Sequence, residues 1–162
     1  MNSFFAPDQK LISIQGDCVE AITYRSAMLR ILGGSADYSI PEALIDDSFC
    51  TYQVIGEFRP KPAPSMWGYL KWWLSPVYHA ELIIDGPPTQ RTLEECRELI
   101  YQAIELDPEH FEASRPIEEW KNDLWAAVSF EELFLVITCS LESNARFDEL
   151  RRSREGSGRS AY

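Results

Sequence analysis

From Lys10 to Ile14 the apolar residues Leu11, Ile12 and Ile14 follow the alternation of a strand, and Phe49 to Phe58 alternates well enough to predict another. Between them, Cys18 to Leu32 carries Val19, Ile22, Met28, Leu29 and Ile31 at spacings that suit either a strand and turn or a helix, and Gly33-Gly34-Ser35 breaks it. Ser39 to Ile45 predicts a helical turn with Pro41 near its start. The N-terminal half therefore reads as strand-rich. Further on, Tyr78 to Ile84 predicts a strand closed by the turn cluster Asp85-Gly86-Pro87-Pro88. Thr92 with Glu95 forms a capping-box pattern, and Leu93, Cys96, Leu99, Ile100, Ala103 and Ile104 then recur at helical spacing.

Asp107-Pro108 predicts the end of that helix, followed by an irregular loop from Glu109 to Ser114. A second helix starts near Pro116, with Ile117, Trp120, Leu124 and Val128 on one face and Glu118, Glu119, Asn122 and Asp123 on the wet side. The continuous apolar run Leu133 to Cys139 predicts a central strand buried on both faces, although Ser129 and Glu132 also fit a helix cap. Phe147 to Arg154 predicts a last short helix. Together these elements predict an α/β or α+β fold, with a small sheet flanked by helices in the C-terminal half.

The 162 residues suit one compact domain. A finer division has a strand-rich part at 1–60, a connector at 61–76, an α/β part at 77–154 and a mobile tail at 155–162. Three alternating prolines in Arg59 to Ser65 favour an extended connector. Three of the five tryptophans follow at once, Trp67, Trp72 and Trp73. Aromatic rings this dense serve a core plug, a docking surface for a partner or second copy, or an interfacial membrane contact.

Charge narrows the partners. The formal net charge is −11, which repels phosphate backbones and anionic lipid, so neither nucleic acid nor a membrane surface is expected. Residues 81–150 hold seventeen acids and five bases, or −12, whereas residues 1–80 carry −2 and the last twelve residues +3. An electrostatically steered contact would therefore use the C-terminal half. Cys18, Cys50, Cys96 and Cys139 are widely spaced with no C-x-x-C, which fits reduced thiols in a cytoplasm. The start, Met1 to Asp8, lacks a basic segment followed by an apolar run, so no secretion signal is expected, and no stretch is apolar for long enough to predict a membrane span.

Catalytic patterns are not found. His79 and His110 are the only histidines, and neither lies near a serine or cysteine elbow. Neighbouring pairs such as Glu118-Glu119 and Glu131-Glu132 point about 100° apart on a helix, which suits surface charge better than paired acid and base. Gly33-Gly34 lacks the spacing and the lysine of a phosphate loop, and the Asp46-Asp47 pair does not make a calcium loop. No metal and no cofactor is expected.

Residues 80–140 carry Ala80-Glu-Leu-Ile-Ile-Asp-Gly86, Thr92-Leu-Glu-Glu95, Leu106-Asp-Pro-Glu-His-Phe111, Leu124-Trp125 and Leu133-Phe-Leu-Val-Ile137. In this order they resemble the barstar-like ribonuclease inhibitors, acidic intracellular immunity proteins. The resemblance implies a small parallel sheet flanked by helices, with a toxin-binding surface in the loop Glu109 to Ser114 and on the helix face Glu118 to Asp123. The chain departs from the family pattern at Ala126, where the family has an acid, in the longer stretch Glu112 to Ile117, and in lacking a closing strand after Arg154. A toxin other than the family's ribonuclease is thereby implied.

The expected function is an immunity or antitoxin protein, not an enzyme, that occludes the basic active-site cleft of a cognate toxin. Glu109, Glu112, Glu118, Glu119 and Asp123 would meet the toxin's cations, Phe111 or Trp120 would be the desolvated anchor, and His110 and Asn122 complete the contact set. The alternative is a small ligand-binding or enzymatic domain with a pocket near Trp67 to Trp73. A homodimer through Trp67, Trp72 and Trp73 is a third reading.

Overall fold

The computed structural model describes residues 5–33, 40–58, 65–67, 70 and 81–158. The chain opens with a hairpin, β1 (Lys10–Gln15) and β2 (Cys18–Thr23), whose register closes at Gln15↔Cys18. That leaves Gly16-Asp17 to make the turn, and Gly16 adopts φ +54, where a β-carbon would be strained. Cys18 to Gly33 thus divides into β2 and the helix α1 (Tyr24–Gly33).

The turn of helix expected around Pro41 is absent. Ala43–Ile45 is a strand, β3, because the Glu42 N–H donates to the Ile14 carbonyl at 2.9 Å and draws the segment onto β1. β4 (Cys50–Phe58) follows across a loop organised by buried Asp46. One Asp46 oxygen accepts from the Ser48 and Cys50 N–H groups at 3.0 and 2.9 Å, and the other from the Tyr52 hydroxyl at 2.8 Å. Burial, and then this bond to Asp46, push the Tyr52 hydroxyl above its ordinary range.

The chain returns along the free edge of β4 as β5 (Glu81–Ile84) and β6 (Thr89–Gln90), interrupted at Asp85 to Pro88. The sheet order is β2-β1-β3-β4-β5, with β6 also on β4. Every pair among the described residues is antiparallel, which corrects the parallel sheet that the resemblance implies. The short β1–β2 and β3–β4 links require it for those two pairs, since a parallel pair needs a crossover of a dozen or more residues.

Helices follow. α2 (Leu93–Leu106) has the complete capping box: the Glu95 N–H donates to the Thr92 hydroxyl at 3.2 Å and the Thr92 N–H to the Glu95 carboxylate at 2.7 Å. The expected loop after it is partly helical, because Asp107 caps α3 (Pro108–Glu112) through the His110 N–H, with Pro108 in the first turn. α4 (Ile117–Ala126) ends before Val128, which is exposed and not on the helix's inner face.

The strand expected at Leu133 to Cys139 is helix α5 (Phe130–Thr138). The Ser129 hydroxyl accepts from the Glu132 N–H at 3.2 Å and the Glu132 carboxylate from the Val128 N–H at 2.9 Å, so the cap decided an apolar run that periodicity leaves ambiguous. α6 (Leu141–Gly158) is longer than the short helix expected and covers part of the expected tail. The Ser140 and Ser143 hydroxyls accept from each other's N–H groups at its start, and an Arg151–Glu155 pair at 3.2 Å supports its far end.

Alternation along the strands divides the core between the two faces of the sheet. Leu11, Ile22, Leu44, Val54 and Leu82 pack with Phe5 and with Tyr24, Ala27 and Met28 of α1. On the opposite face, Ile12, Val19 and Ile45 pack with inward residues of α2, α4, α5 and α6. That helical layer carries the acidic segment. Trp72, Trp73 and His79 lie outside the described residues, while Met66, Trp67 and Leu70 are exposed. Among the described residues no helix is long and apolar enough to cross a membrane.

Candidate protein-binding surface

Helical periodicity turns Cys96, Ile100, Ala103 and Ile104 of α2 inward and leaves Glu94, Glu98, Gln102 and Glu105 exposed. α3 and α4 dock on the same core through an aromatic pair. Phe111 and Trp120 are both buried, with ring centroids 5.5 Å apart, edge to face, and the Trp120 indole N–H donates to the Phe111 carbonyl at 3.3 Å. Two of the expected contact residues are thereby corrected. Phe111 and Trp120 are buried and anchor α3 and α4 to their own core, so neither stands on the surface where the expected anchor would be.

Asp123 has a similar internal commitment. Its carboxylate takes the Arg115 guanidinium at 2.5 Å, and that guanidinium lies 3.9 Å over the Trp120 ring with only 12% of the side chain exposed. Asp123 is thus a half-buried counter-charge, not a free surface acid. Glu109, His110, Glu112, Glu118, Glu119 and Asn122 are exposed as expected. The His110 ring stands edge-on to Phe111 at 5.3 Å.

These exposed residues do not form one continuous set. A groove of about 580 Å³ between α2 and the α3–α4 unit gathers Glu112 and Glu118 with Tyr101, Glu105, Pro108, Pro116 and Ile117. Three carboxylates, an aromatic ring and aliphatic surface meet there, while Glu109, Glu119 and Asn122 do not line it. The Tyr101 ring is half-buried, stands at 90° to Trp125 with centroids 5.4 Å apart, and has the Lys121 ammonium 5.1 Å over it. Burial, then a hydrogen bond to Glu105, push the Tyr101 hydroxyl up from its ordinary value.

Tyr101 and Glu105 are the polar members that sequence reasoning missed. Tyr101 and Glu105 are four residues apart beside the apolar stripe of α2, a spacing that brings side chains together, but nothing in the sequence says that this flank meets α3 and α4. Chemically, the groove can bind cations and bury apolar stems. Among the described residues no group of three or more histidine, cysteine, aspartate and glutamate side chains is placed to hold a metal. The cysteines are free, and burial pushes the Cys96 thiol up to about 11. No protein family, curated protein or solved structure matches this chain.

Proposed function

We propose that this chain is an immunity or antitoxin protein of the cytoplasm, a binding protein and not an enzyme, whose acidic helical face covers the cationic active-site cleft of a toxin. One observation carries the reading: Glu105, Glu112 and Glu118 converge on a partly apolar groove without an ion pair among the described residues, inside the segment of charge −12. Glu109, His110 and Glu119 add further exposed polar groups on α3 and α4. The barstar-like sequence motifs that precede α5, from Ala80 to Trp125, support the same class of partner. Complementary charge of this kind mainly raises the association rate and rejects wrong partners, and apolar burial supplies the rest of the affinity.

The test is affinity capture from the source organism's lysate with tagged wild type and with Glu112→Lys/Glu118→Lys. Asp123 is left alone because it holds Arg115. A single protein with a basic cleft, captured by wild type in a salt-sensitive manner and lost with the variant, is the expected result. Equal capture by both proteins would remove the surface assignment.

A second reading, self-association, rests on Trp67, which is 73% exposed beside exposed Met66 and Leu70. Sedimentation over a hundredfold concentration range should then show a dimer that Trp67→Ser weakens, and a constant monomer mass would dismiss it.

A further inference from the structure

We infer that the groove between α2 and the α3–α4 unit is an arginine-acceptor site, which takes one arginine side chain presented by a protein partner. The inference rests on the reading of this face as a protein-binding surface, and it names the group that the surface holds.

The lining has two chemical parts. Ile117 and Pro116 offer aliphatic surface for a methylene stem, while Glu105, Glu112 and Glu118 offer carboxylates for its charged head. Tyr101 supplies an aromatic face. Lysine and arginine both satisfy the charge. A guanidinium alone is planar, weakly hydrated and able both to stack on a ring and to fork onto carboxylates, whereas an ammonium is compact and strongly hydrated.

The molecule contains its own instance of this preference. Arg115, in the link between α3 and α4, lies 3.9 Å over the Trp120 ring while bonding the Asp123 carboxylate at 2.5 Å. The groove repeats the combination of ring and carboxylate, and its ring meets Trp125 at 5.4 Å and, as its one cation among the described residues, the ammonium of exposed Lys121 at 5.1 Å. Lys121 marks the Tyr101 ring as attractive to cations and competes with an incoming arginine. Removing that competitor should therefore strengthen binding.

The experiment is an amide-resolved NMR titration of the full chain at low salt with acetyl-Gly-Arg-Gly-amide and acetyl-Gly-Lys-Gly-amide. The arginine peptide is expected to shift Tyr101, Glu105, Ile117 and Glu118 with several-fold higher affinity than the lysine peptide. Tyr101→Leu should abolish the difference between the peptides, Glu105→Gln/Glu118→Gln should weaken both, and Lys121→Gln should tighten the arginine peptide. The double glutamine variant alters only exposed side chains, so it stays informative if Tyr101→Leu does not fold. Equal affinities for the two peptides, or shifts spread equally over Glu94, Glu131 and Glu142, would overturn the assignment. Discrimination between the peptides, with toxin capture indifferent to Glu112→Lys/Glu118→Lys, would keep the arginine site and remove the toxin reading. Capture that depends on those residues without peptide discrimination would do the reverse.

Discussion

On the outer face of α2 to α4 the carboxylates of Glu105, Glu112, Glu118 and Glu119 face solvent without an ion pair among the described residues. Around α5 and α6 the pattern is the opposite. Glu131 holds Lys10 at 2.8 Å, Glu149 holds Arg146 at 2.9 Å, Glu155 holds Arg151 at 3.2 Å, and buried Glu132 takes Arg154 at 2.7 Å. Both regions contain basic residues, and the difference lies in what those residues meet. Around α2 to α4, Arg97 donates to the Ala127 carbonyl, Arg115 pairs with Asp123 over Trp120, and Lys121 sits over Tyr101. Cations there serve backbone, rings and one half-buried acid, so the outer glutamates have no ion-pair partner among the described residues. Acids left unpaired on one face while most acids of the other are paired within the fold suit a surface whose counter-ions come from another molecule.

The largest expected effect attacks the neutralised side. Arg154 donates to both Glu132 oxygens and to the Ala126 carbonyl at 3.0 Å, tying α6 to the α4–α5 corner. Arg154→Ala leaves a buried carboxylate with the Val128 N–H alone. It should cost about 3 kcal/mol in urea denaturation, the lower end for a broken buried pair, because the arginine side chain is 36% exposed. A loss below about 0.5 kcal/mol would place this pair with ordinary surface ion pairs and erase the contrast.

Next comes the start of α2, where an acid serves the fold on the face otherwise left charged. Thr92→Ala should cost about 1 kcal/mol by removing the cap. Hydrogen bonds from the Thr92 backbone and side chain hold the Glu95 carboxyl below its ordinary value of 4.5. A lowered folded-state pKa stabilises above that ordinary value, and the contribution is lost as pH falls through the lowered one. Stability of Thr92→Ala should therefore fall less steeply in acid than that of wild type. Parallel pH profiles would show that the Thr92 hydroxyl, the part of the pair that alanine removes while its backbone N–H stays, carries no linkage.

The smallest effect belongs to the uncompensated acids. Glu112→Gln, Glu118→Gln and Glu119→Gln should each change stability by less than about 0.5 kcal/mol. The triple variant should be slightly more stable than wild type at low salt, with the gain vanishing near 1 M salt, where the Debye length is about 3 Å. A clear destabilisation would mean that these carboxylates have partners within the fold.

Local signals were legible where chemistry and periodicity agreed. Thr92 and Glu95 placed the start of α2, and the alternation of β1 and β4 placed both strands. They misled where two local readings competed. Leu133 to Ile137 has no polar interruption to mark its period, and the Ser129 cap is what separates helix from strand there. For the candidate site, exposure of Glu109, Glu112, Glu118 and Glu119 was legible from the wet side of the pattern. The burial of Phe111 and Trp120 was not, because an aromatic residue in a supposed loop serves a core and an interface equally well.

By itself the sequence determined the acidity of residues 81–150, the capped amphipathic α2 and the alternating strands, since each depends on residues near one another along the chain. Tertiary structure alone decided the antiparallel sheet order, the pairing of Arg154 with Glu132 and of Arg115 with Asp123, and the meeting of Tyr101 and Glu105 with Glu112 and Glu118. Those outcomes depend on how helices and strands pack, so which acids are neutralised and which remain for a partner is set by distances in space that local pattern does not encode.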